Sequence, residues 1–306
     1  MSPDPKSGLA LHTLCPLGMA DDGEGLGRWL VVVSGCSGRG VERSPWREQV
    51  ASVLITGSTD GLGLLAAELL LQEGHAVTLH ARNERRAADA RARMPEAAGV
   101  VIGDLSSIEE MRSVAEQANA VGRFDAVIHN AGVGYREAHR IETVDGLAHV
   151  FAINVLAPYL VTALMTRPDR LVYLSSGMAR GGDGGLADPQ WTARRWNASQ
   201  AYSESKLFDV MLAFGVARRW NDVRSNSVEP GWVATKMGGP GAPDDLSLAP
   251  VTQAWLAVSS EPTASVTGQH FFHRQTRGTP AVAHSAEAQD ALFDYCAELT
   301  GTPMPA

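Results

Sequence analysis

Cysteine is scarce in this chain: Cys15, Cys36 and Cys296 are three in number, far apart and free of CxxC spacing. No disulfide framework or zinc cage is built that way, and a reducing intracellular compartment, the cytoplasm, is the simplest expectation. The nine histidines form no HExxH or H-x-H cluster, so no metal site is expected. Long apolar runs are missing too, and none reaches the ~18–20 residues that a membrane-spanning helix needs. The N-terminal stretch LALHTLCPLGMA has only Lys6 as a positive flank and is interrupted by His12, Thr13 and Pro16, which argues against an export signal. Basic excess is lacking as well: 26 Lys and Arg face 34 Asp and Glu, for a net charge of −8. A polyanion-binding surface needs a basic footprint, so neither nucleic acid nor a membrane surface is an expected partner. Internal repeats are absent.

The 306 residues, 44% hydrophobic and 20% charged, suit one soluble domain with a large core. Residues 1–50 read as a poorly ordered extension rich in Gly, Pro and Ser, with WLVVV (29–33) as the one run that could add an edge strand. From 51 onward the pattern becomes regular. VLIT (53–56), AVTLH (76–80), VVIGDL (100–105) and DAVIHNAG (125–132) read as buried strands. Helical stretches at 62–72, 82–94 and 106–120 separate them. Val- and Ile-rich strands alternating with helices call for a parallel sheet covered on both faces, an α/β doubly wound domain over 51–300 with a short tail at 301–306. Ligands bind such sheets at the carboxyl ends of the strands.

LITGSTDGLGLL (54–65) sits between the first strand and the first helix, with glycines spaced G-x-x-x-G-x-G at 57, 61 and 63. Gly57 permits a tight turn, and Gly61 and Gly63 let backbone approach a pyrophosphate and let the helix pack close to the sheet. An ordinary strand–helix turn is the competing reading. The second strand ends in LHARN, with Arg82 and no acid before Glu84. An acid there would receive a ribose 2′-hydroxyl, whereas an arginine meets a 2′-phosphate, so NADP(H) is expected over NAD(H). Arg82 could instead begin a solvated basic helix face. Asp104 is placed to bond an adenine amino group, and Asn130, Ala131 and Gly132 to floor the adenosine ribose.

In AYSESKLFDVMLAFGVARRW (201–220), Tyr202 and Lys206 lie at i and i+4 on one helical face. A free phenol, with a pKa near ~10, transfers protons poorly at neutral pH, and an adjacent ammonium with an oxidised nicotinamide nearby would lower that value. Alone, the pair reads equally as a surface contact. RLVYLSS (170–176) ends a strand in Ser175 and Ser176; Asn154 interrupts the apolar AINVLAPYLVTALM; EPGWVATKM (229–237) supplies another strand-end loop with Thr235.

TGSTDGLG, NAG, the Asn154 helix, Ser176, YSESK and PGWVAT stand in the order and spacing of the short-chain dehydrogenase/reductase family, which residues 51–300 resemble. The resemblance implies strand order 3-2-1-4-5-6-7 and an Asn154–Ser176–Tyr202–Lys206 tetrad. In it Tyr202 donates the proton and Ser176 bonds the substrate carbonyl. Lys206 binds the nicotinamide ribose and lowers the tyrosine pKa, and Asn154 holds the water of a proton relay. It further implies cofactor contacts at Gly57, Ser58, Asp60, Gly61, Leu62, Gly63, Arg82, Asp104 and Leu105. More follow at Asn130, Ala131, Gly132, Tyr202, Lys206, Pro230, Gly231, Val233 and Thr235. Assembly as a homodimer or homotetramer through the helices of Asn154 and Tyr202 is also implied.

Ser176 is taken as the catalytic serine of the pair. The 25 residues between it and Tyr202 are about twice the commonest family spacing, and resemble retinol-dehydrogenase-like members. Trp191 and Trp196 within them either wall a bulky apolar substrate or pack the excursion against the sheet. ASVTGQHFFHRQTRGTP resembles bacterial ketoreductases loosely, with His270, His273 and Arg274 expected on the surface after the last strand. The function expected is NADP(H)-dependent carbonyl–alcohol interconversion on a small, bulky apolar or aromatic molecule. An epimerase or dehydratase and a non-catalytic dinucleotide sensor are the alternatives; the glycine spacing argues against the former, and the presence of both Tyr202 and Lys206 against the latter.

Overall fold

The computed structural model describes residues 50–306; the N-terminal extension with its WLVVV run lies outside the described residues. Strands β1 (Ser52–Ile55), β2 (Ala76–Ala81), β3 (Gly99–Ile102), β4 (Ala126–His129), β5 (Arg170–Leu174), β6 (Arg224–Val228) and β7 (His270–Phe272) pair in parallel in the order 3-2-1-4-5-6-7. Their apolar runs are buried because helices cover both faces. Helices α1 (Gly61–Gln72), α2 (Glu84–Arg93) and α7 (Val251–Val258) cover one side, around Leu70, Leu79 and Trp255. Helices α3 (Ile108–Val121), α5 (Ala157–Leu164), α6 (Ala198–Arg219) and α8 (Ala286–Thr300) cover the other, around Met111, Leu160, Phe208 and Phe293.

An eighth strand, β8 (Gln275–Thr276), pairs antiparallel with β7, beyond the seven expected. His273 and Arg274 form its two-residue turn, with φ of 49° and 61°. Such turns demand positive φ at both central residues and usually use Asn-Gly, so His-Arg gives no hairpin signal in the sequence. His270, expected on the surface, is instead 4% exposed inside β7.

The helix bearing Asn154 is not uniform. α4 (His149–Phe151) widens into a π-helical turn, Ala152–Leu156, before α5 resumes. Pro158 has no N–H to offer the Asn154 carbonyl four residues back, so the α register breaks there. α5 and α6, the helices through which the resemblance implies assembly, are covered within this chain. α8 packs on both: Phe293 lies against Tyr159 with ring centroids 5.8 Å apart, and a Cβ at Gly215 of α6 would meet its ring at 2.8 Å. Residues 301–306 continue over the same surface. Met304 is buried, the Tyr159 hydroxyl donates to the Thr302 carbonyl at 2.9 Å, and the Trp220 indole donates to the Pro305 carbonyl at 2.9 Å.

Candidate active site

The carboxyl ends of the strands open into a cavity of about 810 Å³. The glycine loop, through Asp60, Gly61 and Leu62, lines it together with Ser176, Tyr202 and Lys206. Gly57 and Gly61 carry φ of 63° and 54°, the left-handed region glycine enters without penalty. A Cβ at Gly63 would stand 2.5 Å from the Gly57 carbonyl and 2.3 Å from Asn130 Nδ2, so only glycine lets α1 start this close to the loop. A Cβ at Gly61 would meet nothing within 4 Å, which leaves the amino end of α1 facing open space. A cradle of this shape fits a dinucleotide pyrophosphate.

The loop is braced from behind by His80, which carried no sequence signal, and by Thr56 and Asn130, which lie in the quoted motifs. His80, buried at the end of β2, accepts from the Gly57 amide through Nδ1 at 2.9 Å and meets the Gly103 carbonyl through Nε2 at 2.9 Å. These partners assign the neutral tautomer with its proton on Nε2. Burial holds the ring at about 4, well below its ordinary value, against the Gly103 bond and the Asp104 charge. Thr56 Oγ1 accepts from the amides of Asn130 and Ala131 at 3.0 Å each. Asn130 Nδ2 donates to the Thr56 and Gly57 carbonyls at 2.9 and 3.0 Å.

Asp60, Gly61, Leu62, Asn130, Ala131, Gly132, Pro230, Gly231, Val233 and Thr235 all line the cavity. Gly57 and Gly63 shape it from beneath. Ser58 does not face it: its fully buried hydroxyl accepts from the His80 amide at 2.8 Å. Asp104 turns onto its own loop, accepting from Ser106 N at 2.9 Å, and Leu105 is buried in the core. Arg82 is exposed and lies off the cavity, whereas Arg86, one helical turn on, reaches the loop at the Thr59 carbonyl (3.5 Å) and Asp60 (3.4 Å). Asp60 caps α1 at the Gly61 amide and pairs with Lys236 as well.

Ser175 and Ser176 separate cleanly. Ser175 is buried and its hydroxyl donates to the Lys206 carbonyl at 2.7 Å; Ser176 is half-buried and accepts only from Met178 N, at 3.2 Å. Tyr202 packs edge-on against Tyr135, ring centroids 5.5 Å apart, with its hydroxyl 3.7 Å from Met237 Sδ. Burial pushes the phenol above its ordinary value; Lys206 and Ser176 pull it down but are outweighed, so the net shift opposes the lowering expected.

Lys206 Nζ donates to the Leu174 carbonyl at 2.7 Å and to buried Asp209 at 2.8 Å. Burial alone would lower the lysine, but Asp209 and Tyr202 outweigh it and keep the ammonium charged. Asn154 stands behind the cavity, accepting from the Val133 amide (2.8 Å) and donating to the Val133 carbonyl (3.1 Å) and Ser205 Oγ (2.9 Å). A Cβ at Gly132 would lie 3.4 Å from both Asn154 Oδ1 and Lys206 Nζ, so these two meet behind Gly132, while Ser176, Tyr202 and Lys206 line the cavity itself.

Trp191 and Trp196 do not line it. They pack edge to face with centroids 5.6 Å apart, the Arg194 guanidinium lies over the Trp191 ring, and the Trp196 indole donates to the Glu137 carbonyl at 2.8 Å. The apolar wall comes from Tyr135, Met178, Trp232, Met237 and Phe272 instead, of which Trp232 and Met237 lay in the EPGWVATKM loop and Phe272 in the loosely ketoreductase-like stretch.

A family model for the short chain dehydrogenases matches residues 51–245, and the chain belongs to that family. An uncharacterized oxidoreductase of Emericella nidulans is 43% identical over 260 residues, covering 83% of this chain and 98% of that protein. Retinol dehydrogenase 14 of Homo sapiens is 30% identical over 214 residues, 61% of this chain and 63% of that protein. A crystal structure of an uncharacterized Mycobacterium paratuberculosis protein superposes with a TM-score of 0.71 at 26% identity, covering 84% and 95% of the two chains. The protein is therefore an oxidoreductase that acts on CH–OH groups with a nicotinamide dinucleotide. Among the described residues no helix is long and apolar enough to cross a membrane, and no cluster of His, Cys, Asp and Glu could hold a metal ion.

Proposed function

We propose that this enzyme is an NADP(H)-dependent carbonyl reductase for a bulky, largely apolar or aromatic molecule. The observation that carries the reading is that Ser176, Tyr202 and Lys206 line the same cavity as the glycine loop at Asp60, Gly61 and Leu62. The cradle and Gly132 would hold the dinucleotide, with Pro230, Gly231, Val233 and Thr235 along its nicotinamide side. When bound, the nicotinamide supplies or accepts a hydride at C4. The phosphate preference is supported by the acid-free end of β2 and by Arg86, the arginine that reaches the loop. The substrate preference is supported by the five-residue apolar wall.

The chain's own groups suit reduction. Burial keeps the Tyr202 phenol protonated at neutral pH, as a proton donor must be. Ser176, half-buried on the cavity wall beside Tyr202, donates to the substrate carbonyl oxygen. As negative charge builds on that oxygen the phenolic proton passes to it, and the phenolate left behind is stabilised by the Lys206 ammonium. Asn154 clamps the Val133 backbone beside Lys206 and keeps that end rigid.

Mixing the purified protein with NADPH and a panel of aromatic ketones tests this. Wild type should oxidise NADPH, and Tyr202→Phe should lose roughly 10²–10⁴-fold in kcat while still binding NADPH. Cofactor binding without turnover by wild type on any ketone would favour a dinucleotide sensor instead.

A further inference from the structure

Glu229 follows β6, lines the cavity and is only 3% exposed. Its two carboxylate oxygens face two guanidiniums and an imidazole. Arg180 Nη2 reaches both at 3.1 Å, Arg277 Nη1 pairs with Oε1, and His270 Nε2 lies 3.8 Å from Oε2. Burial would raise this carboxyl, but the adjacent His270 ring, the bonds from Arg180 and the charges of Arg180 and Arg277 outweigh it and hold it at about 2. It is ionised throughout the working range.

One arginine neutralises a buried carboxylate; a second leaves one positive charge over. Both guanidiniums line the cavity, and their side chains stay 46% and 43% exposed, so their edges turned away from Glu229 remain accessible. They are also held in place. Arg180 Nη1 donates to the Gly177 carbonyl at 3.1 Å, and the Arg277 guanidinium lies over the Phe272 ring, 4.0 Å from its centroid. The pair sits close to the chemistry: a Cβ on Gly177, the residue after Ser176, would come within 3.2 Å of Arg180 Nη1 and 3.3 Å of Glu229 Oε2. The other charged groups on the cavity wall are engaged elsewhere. Asp60 pairs with Lys236, Lys206 with Asp209, and Asp244 accepts from the Trp232 amide at 2.6 Å.

An uncompensated guanidinium edge beside an apolar wall selects for an anion, and its planar fork matches a carboxylate. The single excess charge suits a monoanion; a dianionic phosphate would leave negative charge stranded against Met178 and Phe272. We propose that Arg180 and Arg277 form a carboxylate subsite, so that the substrate is a keto acid, or the matching hydroxy acid. Its acid group rests on the two arginines while its carbonyl meets Ser176 and Tyr202. This rests on the carbonyl-reductase reading and narrows it from bulky apolar molecules to apolar molecules carrying one acid.

The test compares three aryl keto acids of increasing reach, benzoylformate, 3-benzoylpropionate and 4-acetylbenzoate, with their methyl esters, alongside neutral aromatic ketones, with NADPH as donor. At least one acid should exceed its ester in kcat/KM by about tenfold or more. A charge-assisted hydrogen bond contributes ~1.5–3 kcal/mol, so Arg277→Gln, which leaves Glu229 paired with Arg180, should cut that acid-to-ester ratio about 10–100-fold, mainly through KM. Glu229→Gln, with its melting temperature followed in parallel, should move the ratio the other way by releasing both guanidiniums. A merely structural ion pair predicts instead that both variants lower acid and ester together. Turnover of neutral ketones with no acid preference in any pair overturns the subsite alone. Absence of turnover on every compound, with NADPH still bound, overturns the reductase reading and the subsite with it.

Discussion

His80 holds the glycine loop with both ring nitrogens, and that arrangement survives only while the ring is neutral. A proton on Nδ1 would remove the acceptor for the Gly57 amide. The folded pKa of about 4 lies below the unfolded value of 6.5, so between those limits the unfolded chain binds the extra proton. Stability is therefore fully present above about pH 6.5 and is lost as pH falls toward 4, by up to ~1.4 kcal/mol per pH unit and ~3 kcal/mol in all for this residue. Gln at this position can accept from Gly57 and donate to Gly103 without titrating. Denaturant unfolding of His80→Gln and wild type at intervals between pH 7 and 4 should show a shallower acid loss in the variant. Parallel curves would sink the assignment of that slope to His80. Nothing in LHARN announces this role, because a histidine among apolar strand residues reads as core until its two partners, from other strand ends, are in place.

The glycine loop and α1 form one unit, and their three glycines are not equivalent. Gly61 needs glycine for its φ of 54° but has room for a methyl group, so Gly61→Ala should cost about 1 kcal/mol of backbone strain. Gly63 has an ordinary φ and no room: a Cβ would strike the Gly57 carbonyl, which is itself tied to Asn130. Gly63→Ala should lose about 1–3 kcal/mol and weaken NADPH binding more than Gly61→Ala does, read as melting temperature and as enhancement of NADPH fluorescence. The reverse order would refute the packing argument. The glycine spacing made this unit legible in the sequence because turn chemistry is local. The parallel sheet was legible for a similar reason, since Val- and Ile-rich strands buried on both faces leave a dense apolar record. What stayed hidden depends on partners distant along the chain. Arg86 rather than Arg82 reaches the loop because Asn83 caps α2 and sets which arginine faces back toward it. Trp191 and Trp196 find each other and Glu137 instead of the cavity, and no spacing within 177–200 distinguishes those outcomes.

The molecule closes on itself where the family resemblance implied contact between subunits. Nearly all of α5, and α6 from Ala201 to Val216, are buried within one chain, because α8 and the residues after it lie across them. Phe293 anchors that cover; it is 1% exposed, wedged against Tyr159 and fitted into the space that Gly215 leaves on α6. An interface through α5 and α6 would have to expel α8 and expose Phe293, Leu292 and Met304, surface that the chain already buries at no cost in association entropy. The protein should therefore sediment at its chain mass of 32.5 kDa across micromolar concentrations. Phe293→Ala separates cover from contact. If α8 only closes the monomer's core, the variant loses about 3 kcal/mol or more, with a melting temperature lower by roughly 2–4 °C for each kcal/mol, and its mass stays that of one chain. A wild-type tetramer that Phe293→Ala dissolves would show that α8 joins subunits, and would refute the reading of it as a lid over α5 and α6.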